Sequence, residues 1–305
     1  MKDLVIFHEN CLDGLCAAAA VWLYQGGDHT DYVGTTYGKP VVDVTGYRKV
    51  YLVDFCYDPE TLYKLAHFAQ EIIVLDHHIK AKERFDTYQG EQPKNVTLVF
   101  DTSVSGAIVT WRHMHHRQLL PMPSLFNYAG DYDMYAFKLE GTREITAALF
   151  ENPAYRDQDV RAFAEYLEDF DYCEPDVYQQ RLRDLRTMGT AFNQLRETQA
   201  RRMIARNLTF QRFDGVTVPV INVPYEFVSR VGEILSEDHP FAVMYEDQLG
   251  IGMRKYSLRS KKNGGMDVGA ICVRCGGGGH LTAGGFTVPM QIARLHQPAP
   301  HQPVK

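Results

Sequence analysis

Within the first hundred residues, four short apolar runs each stop at an acid or a histidine. Leu4-Val5-Ile6-Phe7 ends in His8, and Val50-Tyr51-Leu52-Val53 ends in Asp54. Ile72-Ile73-Val74-Leu75 ends in Asp76, and Val96-Thr97-Leu98-Val99-Phe100 in Asp101. Such runs, rich in β-branched residues, read as buried strands. Helix signals lie between them. Ala17 to Ala20, Val21, Trp22 and Leu23 follow the first strand, Asp58-Pro59-Glu60 opens a later helix, and Ser103 or Ser105 caps the one carrying Ile108, Val109 and Trp111. Strands and helices in alternation build a doubly wound parallel α/β sheet. Such sheets bind their ligands at the carboxyl ends of the strands, which is where these acids and imidazoles fall.

The densest chemistry is Asp76-His77-His78. Paired histidines alone are weak evidence, because the chain also contains His115-His116. The other strand ends strengthen the case. His8 and Asp13 bracket a strand-to-helix turn in which Gly14 permits close backbone approach, and Asp54 ends the strand that starts at Val50. Asp58 reads as a helix cap. Asp131 and Asp133 stand among Tyr128, Tyr132, Tyr135 and Phe137, where unpaired carboxylates are costly unless they meet a cation. Either acid suits that role. Carboxylates and imidazoles without a thiolate favour Mn²⁺ or Mg²⁺, with Fe or Co admissible. So many acids suggest two ions sharing a bridging carboxylate, an arrangement suited to attack of water on a phosphoester. His113, His115, His116 and Arg117 read instead as a surface group near a helix C-terminus.

Charge and composition exclude several alternatives. A formal net charge of −6 argues against an extended non-specific grip on nucleic acid. No apolar run approaches the roughly 18 residues of a membrane-spanning helix. The amino terminus enters a strand without a basic leader, so the expected location is the cytoplasm. Six cysteines scattered over 305 residues, with Cys272 and Cys275 as a lone pair, read as reduced thiols.

The second half has a different texture. Residues 154–205 are charged and helical. A hairpin follows, Leu208–Phe213 and Val216–Val220 around Asp214-Gly215. A helix is expected from Glu226 to Leu235, then two strands flanking Asp247-Gln248-Leu249-Gly250, then a helix over Val268–Cys275. Gly276-Gly277-Gly278-Gly279-His280 offers backbone N–H groups that can wrap an anion. Ala283-Gly284-Gly285-Phe286 follows, and the Pro, Gln and His-rich residues 290–305 read as a disordered tail.

These motifs, in this order, resemble the DHH/DHHA1 phosphoesterases. That family includes nanoRNases, pAp phosphatases, cyclic-dinucleotide phosphodiesterases and the exonuclease RecJ. The resemblance runs from His8 to about Phe286. His8 to Asp13 matches the first motif in the variant H-x-x-C-x-D-G, Asp54 the second, Asp76-His77-His78 the third, Asp131 in Asp131-Tyr132-Asp133 the fourth, and Gly276–Phe286 the C-terminal signature. One departure stands out: a second acid of the first motif is replaced by Leu15. The resemblance implies an N-terminal DHH domain over residues 1–150, a helical connector over 151–206 and a smaller α/β DHHA1 domain over 207–289, with the cleft between the domains.

It also implies two divalent cations, most simply Mn²⁺, with Mg²⁺ or Co²⁺ admissible. His8, Asp13, Asp54, Asp76, His77 and Asp131 would be their ligands, with Asp54 bridging. Asp76 and His78 would serve catalysis, His78 by contacting the scissile phosphate or protonating the leaving group. Arg259, Gly277, Gly278, Gly279 and His280 would hold the substrate, with Arg254 a weaker candidate. The implied activity is hydrolysis of short oligonucleotides or dinucleotides, the alternatives being pAp or cyclic dinucleotides. A nucleotide-binding protein with a decayed metal site is the non-enzyme alternative. Neither long nucleic acid nor membrane is an expected partner; a second copy of the chain in a homodimer is compatible.

Overall fold

The computed structural model describes residues 1–27, 29–116, 121–261 and 263–290. Arg117 and the expected tail beyond Met290 lie outside the described residues. Two compact units divide the chain, residues 1–193 and the chain from Gln194 onward.

The first unit is built on five parallel strands: β1 (Asp3–His8), β2 (Thr30–Thr35), β3 (Lys49–Val53), β4 (Glu71–Asp76) and β5 (Val96–Phe100). Their order is β2-β1-β3-β4-β5. Alternation along each strand divides the core between two faces. Val5, Phe7, Tyr51, Val53, Ile73 and Leu75 point to one side, where α1 (Leu12–Gln25), α4 (Gly106–His115) and α5 (Ser124–Asp133) cover them. Leu4, Ile6, Val50, Leu52, Ile72 and Val74 point to the other, against Leu62 and Ala66 of the α2 region (helix Pro59–Leu65) and Ala81 of α3 (Ile79–Thr87). Both faces are apolar because both are buried.

Ala17 to Ala20 are fully buried, and their small side chains let α1 lie close against its neighbours. Asp58 caps α2, accepting from Thr61 N at 3.0 Å. The later helices α6 (Thr142–Phe150), α7 (Pro153–Arg156) and α8 (Val160–Asp171) and the start of α9 (Pro175–Asn207) extend this unit. Val160, Phe163, Leu167, Phe170, Leu182 and Leu185 add to the same core as α1. Most of the expected connector is thus packed into the first unit.

The second unit holds a six-stranded sheet. Its strands are β6 (Thr209–Phe213), β7 (Val216–Asn222), β8 (Ala242–Gln248), β9 (Met253–Arg259), β10 (Gly278–His280) and β11 (Ala283–Pro289). The order is β10-β11-β9-β8-β7-β6, and only β7 and β8 pair in parallel. Asp214 and Gly215 take left-handed φ values of 47° and 85°, which closes the β6–β7 hairpin tightly. α10 (Val228–Ser236) packs on Ala242 and Met244, while α11 (Val268–Arg274) packs on Val243, Leu258 and Phe286.

Candidate metal centre

The strand order places the site. β1 and β3 are neighbours, and the chain winds away from them in opposite directions, so a crevice opens at their carboxyl ends. His8 ends β1, Asp54 directly follows β3, and Asp76 ends β4 with His77 and His78 after it. Asp54 adopts φ 51°, a left-handed conformation uncommon outside glycine, which turns the chain sharply as it leaves the sheet. Gly106, the first residue of α4, lies directly against it. A Cβ there would come within 2.6 Å of both Cβ and Oδ1 of Asp54. Only glycine lets the start of α4 come this near the carboxylate.

The imidazole of His77 is the hub. Its Nε2 lies 3.1 Å from Asp54 Oδ1, 3.4 Å from Asp133 Oδ2 and 3.9 Å from Asp13 Oδ2. His8 Nδ1 lies 3.6 Å from Asp54 Oδ2. Asp76 Oδ1 accepts from the backbone N–H of His77 at 2.8 Å and stands 2.7 Å from His78 Nδ1. Asp13 is buried and accepts from the N–H groups of Gly106 (2.6 Å) and Ala107 (3.2 Å). It therefore caps α4 in place of Ser105, whose side chain makes no capping bond.

Burial and the nearby carboxylates of Asp54 and Asp133 push Asp13 well above the usual carboxyl range. Burial, followed by Asp54, likewise raises Asp133. Burial opposes ionisation of Asp54 too, but His77 and His8 hold it low. Burial also opposes a charge on His77, yet Asp54, Asp13 and Asp133 lift it to about 9. The cluster thus has more buried acid than its imidazoles can offset.

Three buried carboxylate oxygens, Asp54 Oδ1 and Oδ2 and Asp76 Oδ2, have no hydrogen-bond partner among the described residues. Orphaned acceptors of this kind are costly unless a cation takes them. Among the described residues, three overlapping groups have their ligand atoms within 4.8 Å of one another: Asp54, Asp76, His77 and His78; His8, Cys11 and Asp54; and Asp13, His77 and Asp133. The donor set suits divalent cations, and Asp54 is the acid common to two groups.

The structure brings His8, Asp13, Asp54, Asp76, His77 and His78 together. Asp131 stands apart, because its oxygens accept from Lys138 N (2.9 Å), Leu139 N (3.0 Å) and Thr142 Oγ1 (2.5 Å). These bonds bind the end of α5 to the start of α6. Asp133, two residues on, turns to His77 instead. Leu15 is wholly buried in the core. Sequence reasoning passed over Cys11, whose sulfur reaches the cluster, and Tyr37, a 48% exposed ring edge-on to His8 at 6.2 Å. Cys11 had a signal in its place within H-x-x-C-x-D-G; Tyr37 had none. His115 is buried rather than superficial: it stacks on Trp111 at 3.6 Å, and its Nε2 lies 3.1 Å from Ala20 O.

The remaining expected residues lie in the second unit. The second half of the glycine run, Gly278 and Gly279, forms an edge strand with His280 rather than an open loop. A Cβ on Gly277 would come within 2.1 Å of Gly285 O, so this glycine is needed for close packing. His280 pairs with Ala283, and Ala283 with Arg259, so the three occupy one row across the sheet and share a face. Arg259 and His280 are thus two strand spacings apart, about 10 Å. Arg254 is already engaged, with two bonds to Asp247 and its guanidinium 4.2 Å from the Tyr245 ring centre.

No family model matches the chain. An uncharacterized protein of Acanthamoeba polyphaga mimivirus is 25% identical over 304 residues, covering 93% of this chain and 67% of that protein. Among solved structures, a DHH-domain protein described as a member of the s1p family of ribosomal proteins superposes with a TM-score of 0.54. It is 13% identical, covering 95% of this chain and 83% of that one. The chain has the DHH-domain fold. A pGpG-specific phosphodiesterase from Vibrio cholerae shares it, with a TM-score of 0.51, 14% identity and coverage of 95% and 94%. So does the exonuclease RecJ bound to manganese, with a TM-score of 0.50, 17% identity and coverage of 95% and 86%.

Proposed function

We propose that this DHH-fold protein is a divalent-cation-dependent phosphodiesterase that hydrolyses short oligonucleotides or dinucleotides. The observation that carries this reading is the set of buried oxygens on Asp54 and Asp76 that receive no hydrogen bond, gathered with His77 at the crevice between β1 and β3. His8, Asp13, Asp54, Asp76, His77 and Asp133 would hold two cations, most simply Mn²⁺. Bound there, the cations would activate water and neutralise charge developing on a phosphoester. The phosphodiesterase and exonuclease that share the fold act on the same class of bond, which supports the choice of substrate.

The protein's own residues supply the rest. Asp54, whose two oxygens face His77 and His8 without a hydrogen bond, would help hold the cations. Asp76 holds His78 through Nδ1, which leaves Nε2 of a partly exposed ring to contact the phosphate or hand a proton to the leaving oxygen. Tyr37 offers a ring for base stacking. In the second unit, Arg259 and His280 would grip a terminal phosphate or the nucleotide backbone.

The test is a substrate panel. Protein stripped with EDTA and resupplied with Mn²⁺ is given linear dinucleotides, oligomers of about three to seven nucleotides, a strand on the order of 30 nucleotides, pAp and cyclic dinucleotides. Fastest release of mononucleotide from the shortest linear substrates is expected. Preference for pAp or a cyclic dinucleotide would reassign the substrate, and inertness toward every arm with every divalent cation would refute the proposal.

A further inference from the structure

We infer that Cys11 is a metal ligand, and that with His8 and Asp54 it forms a thiolate-bearing position suited to a softer ion than the carboxylate-rich groups around His77. This rests on the metal-centre reading above and specifies one part of it.

Two independent observations meet here. The sulfur of Cys11, a ring nitrogen of His8 and a carboxylate oxygen of Asp54 lie within 4.8 Å of one another, the spread of atoms that can share an ion. Asp54, 1% exposed, has neither oxygen satisfied by a hydrogen bond, so a buried acceptor already faces this point. Cys11 is the residue before α1, in extended conformation (φ −119°, ψ 130°), and its side chain makes no capping bond. Leu15, where the family pattern has an acid, is sealed in the core and offers nothing. Cys11 supplies the missing donor from the turn itself.

The consequence is a difference in softness within one cluster. Thiolate with imidazole and one carboxylate favours Zn²⁺, Co²⁺ or Fe²⁺, whereas Asp13, Asp133, Asp76 and His77 favour Mn²⁺ or Mg²⁺. On binding, the sulfur–metal bond forms as the S–H proton passes to solvent, so loading should release a proton.

Co²⁺ is the probe. The full chain, stripped with EDTA, is titrated with Co²⁺ and followed by ultraviolet–visible absorption and calorimetry. The expected result is an intense near-ultraviolet thiolate-to-cobalt band alongside the weaker visible bands. Cys11→Ser should lose the near-ultraviolet band, keep visible bands from the remaining donors and bind one equivalent about tenfold or more weakly. Cys56→Ser, which alters a neighbouring buried thiol, should keep the band. Cys11→Asp should lack it but bind Mn²⁺ more tightly than wild type. Bound Co²⁺ without a near-ultraviolet band, or a band that survives in Cys11→Ser, overturns the role of Cys11 and leaves the metal centre standing. Failure of wild type to bind either Co²⁺ or Mn²⁺ overturns both.

Discussion

Asp76 and His78 are locked to each other: Oδ1 of Asp76 accepts from the backbone N–H of His78 at 3.3 Å and lies 2.7 Å from its Nδ1. One oxygen of the acid is spent in orienting the imidazole, and the other, Oδ2, is buried and bare. A second carboxylate oxygen left without a hydrogen bond is what a cation site requires, and a ring nitrogen not held by the acid, Nε2, is what a proton donor requires.

That division of labour separates His78 from the ligands. His78→Gln should lower kcat by about 10²–10⁴-fold, the usual range for a lost general acid or base. Mn²⁺ affinity measured by calorimetry should change only a few-fold. A variant with full kcat would remove His78 from the chemistry.

Asp54 is the acid on which the groups converge. Asp54→Asn should abolish Mn²⁺-dependent turnover and weaken metal binding sharply. Gly106→Ala reaches the same carboxylate from the other side, because its Cβ would crowd Asp54 at 2.6 Å. We expect it to destabilise the fold by about 1–3 kcal/mol, as overpacked sites do, and to lower kcat. Unchanged thermal unfolding and turnover in Gly106→Ala would show that α4 can withdraw.

Asp131 and Asp133 should part company. Asp131→Asn disturbs three hydrogen bonds at the α5–α6 junction and should cost about 1–3 kcal/mol in denaturant unfolding, with little change in Mn²⁺ affinity. Burial works against ionisation of Asp131, but Thr142 and the N–H groups of Lys138 and Leu139 hold its carboxyl below the usual range. A lowered folded-state value means that its contribution is present above the unfolded carboxyl range and is lost as pH falls through the folded one. The wild-type advantage over Asp131→Asn should therefore shrink in acid. Asp133→Asn should do the reverse, weakening Mn²⁺ binding without a matching loss of stability.

Arg259 and His280 share a row and a face of the second sheet. Arg259→Ala or His280→Ala should chiefly raise KM, by an amount equivalent to roughly 1.5–3 kcal/mol for a lost charged hydrogen bond. Steady-state kinetics on a linear dinucleotide reads this directly; two unaltered KM values would remove this face from substrate binding.

Much of this was legible in the sequence because burial on both faces forces a plain signal. β1, β3 and β4 are continuous apolar runs, and their ends mark the crevice without further information; edge strand β5 is only partly buried, and Asp101 at its end is taken by Ser103 and Arg112 instead. Asp214-Gly215 and Asp58-Pro59 announced a hairpin and a cap through local backbone chemistry. The side-chain choice between Asp131 and Asp133 was not legible. Both acids lie in the last turn of α5, and only the path of residues 138–142 determines which of them is consumed by backbone N–H groups. Asp13 read from the sequence as an acid of the strand-to-helix turn beside His8. It caps α4, 93 residues away, a pairing that no local pattern contains. The glycine run looked like an open anion loop because sequence shows flexibility but not what presses against it; Gly285 and Phe286 do so here.

The most direct test of the central claim is hydrolysis of a linear dinucleotide by EDTA-stripped protein, followed as Mn²⁺ is added back, with Asp54→Asn in parallel. The account predicts no mononucleotide release without metal, restored release in wild type and none in Asp54→Asn at any Mn²⁺ concentration. Turnover that persists in EDTA, or an Asp54→Asn protein as active as wild type, would contradict it.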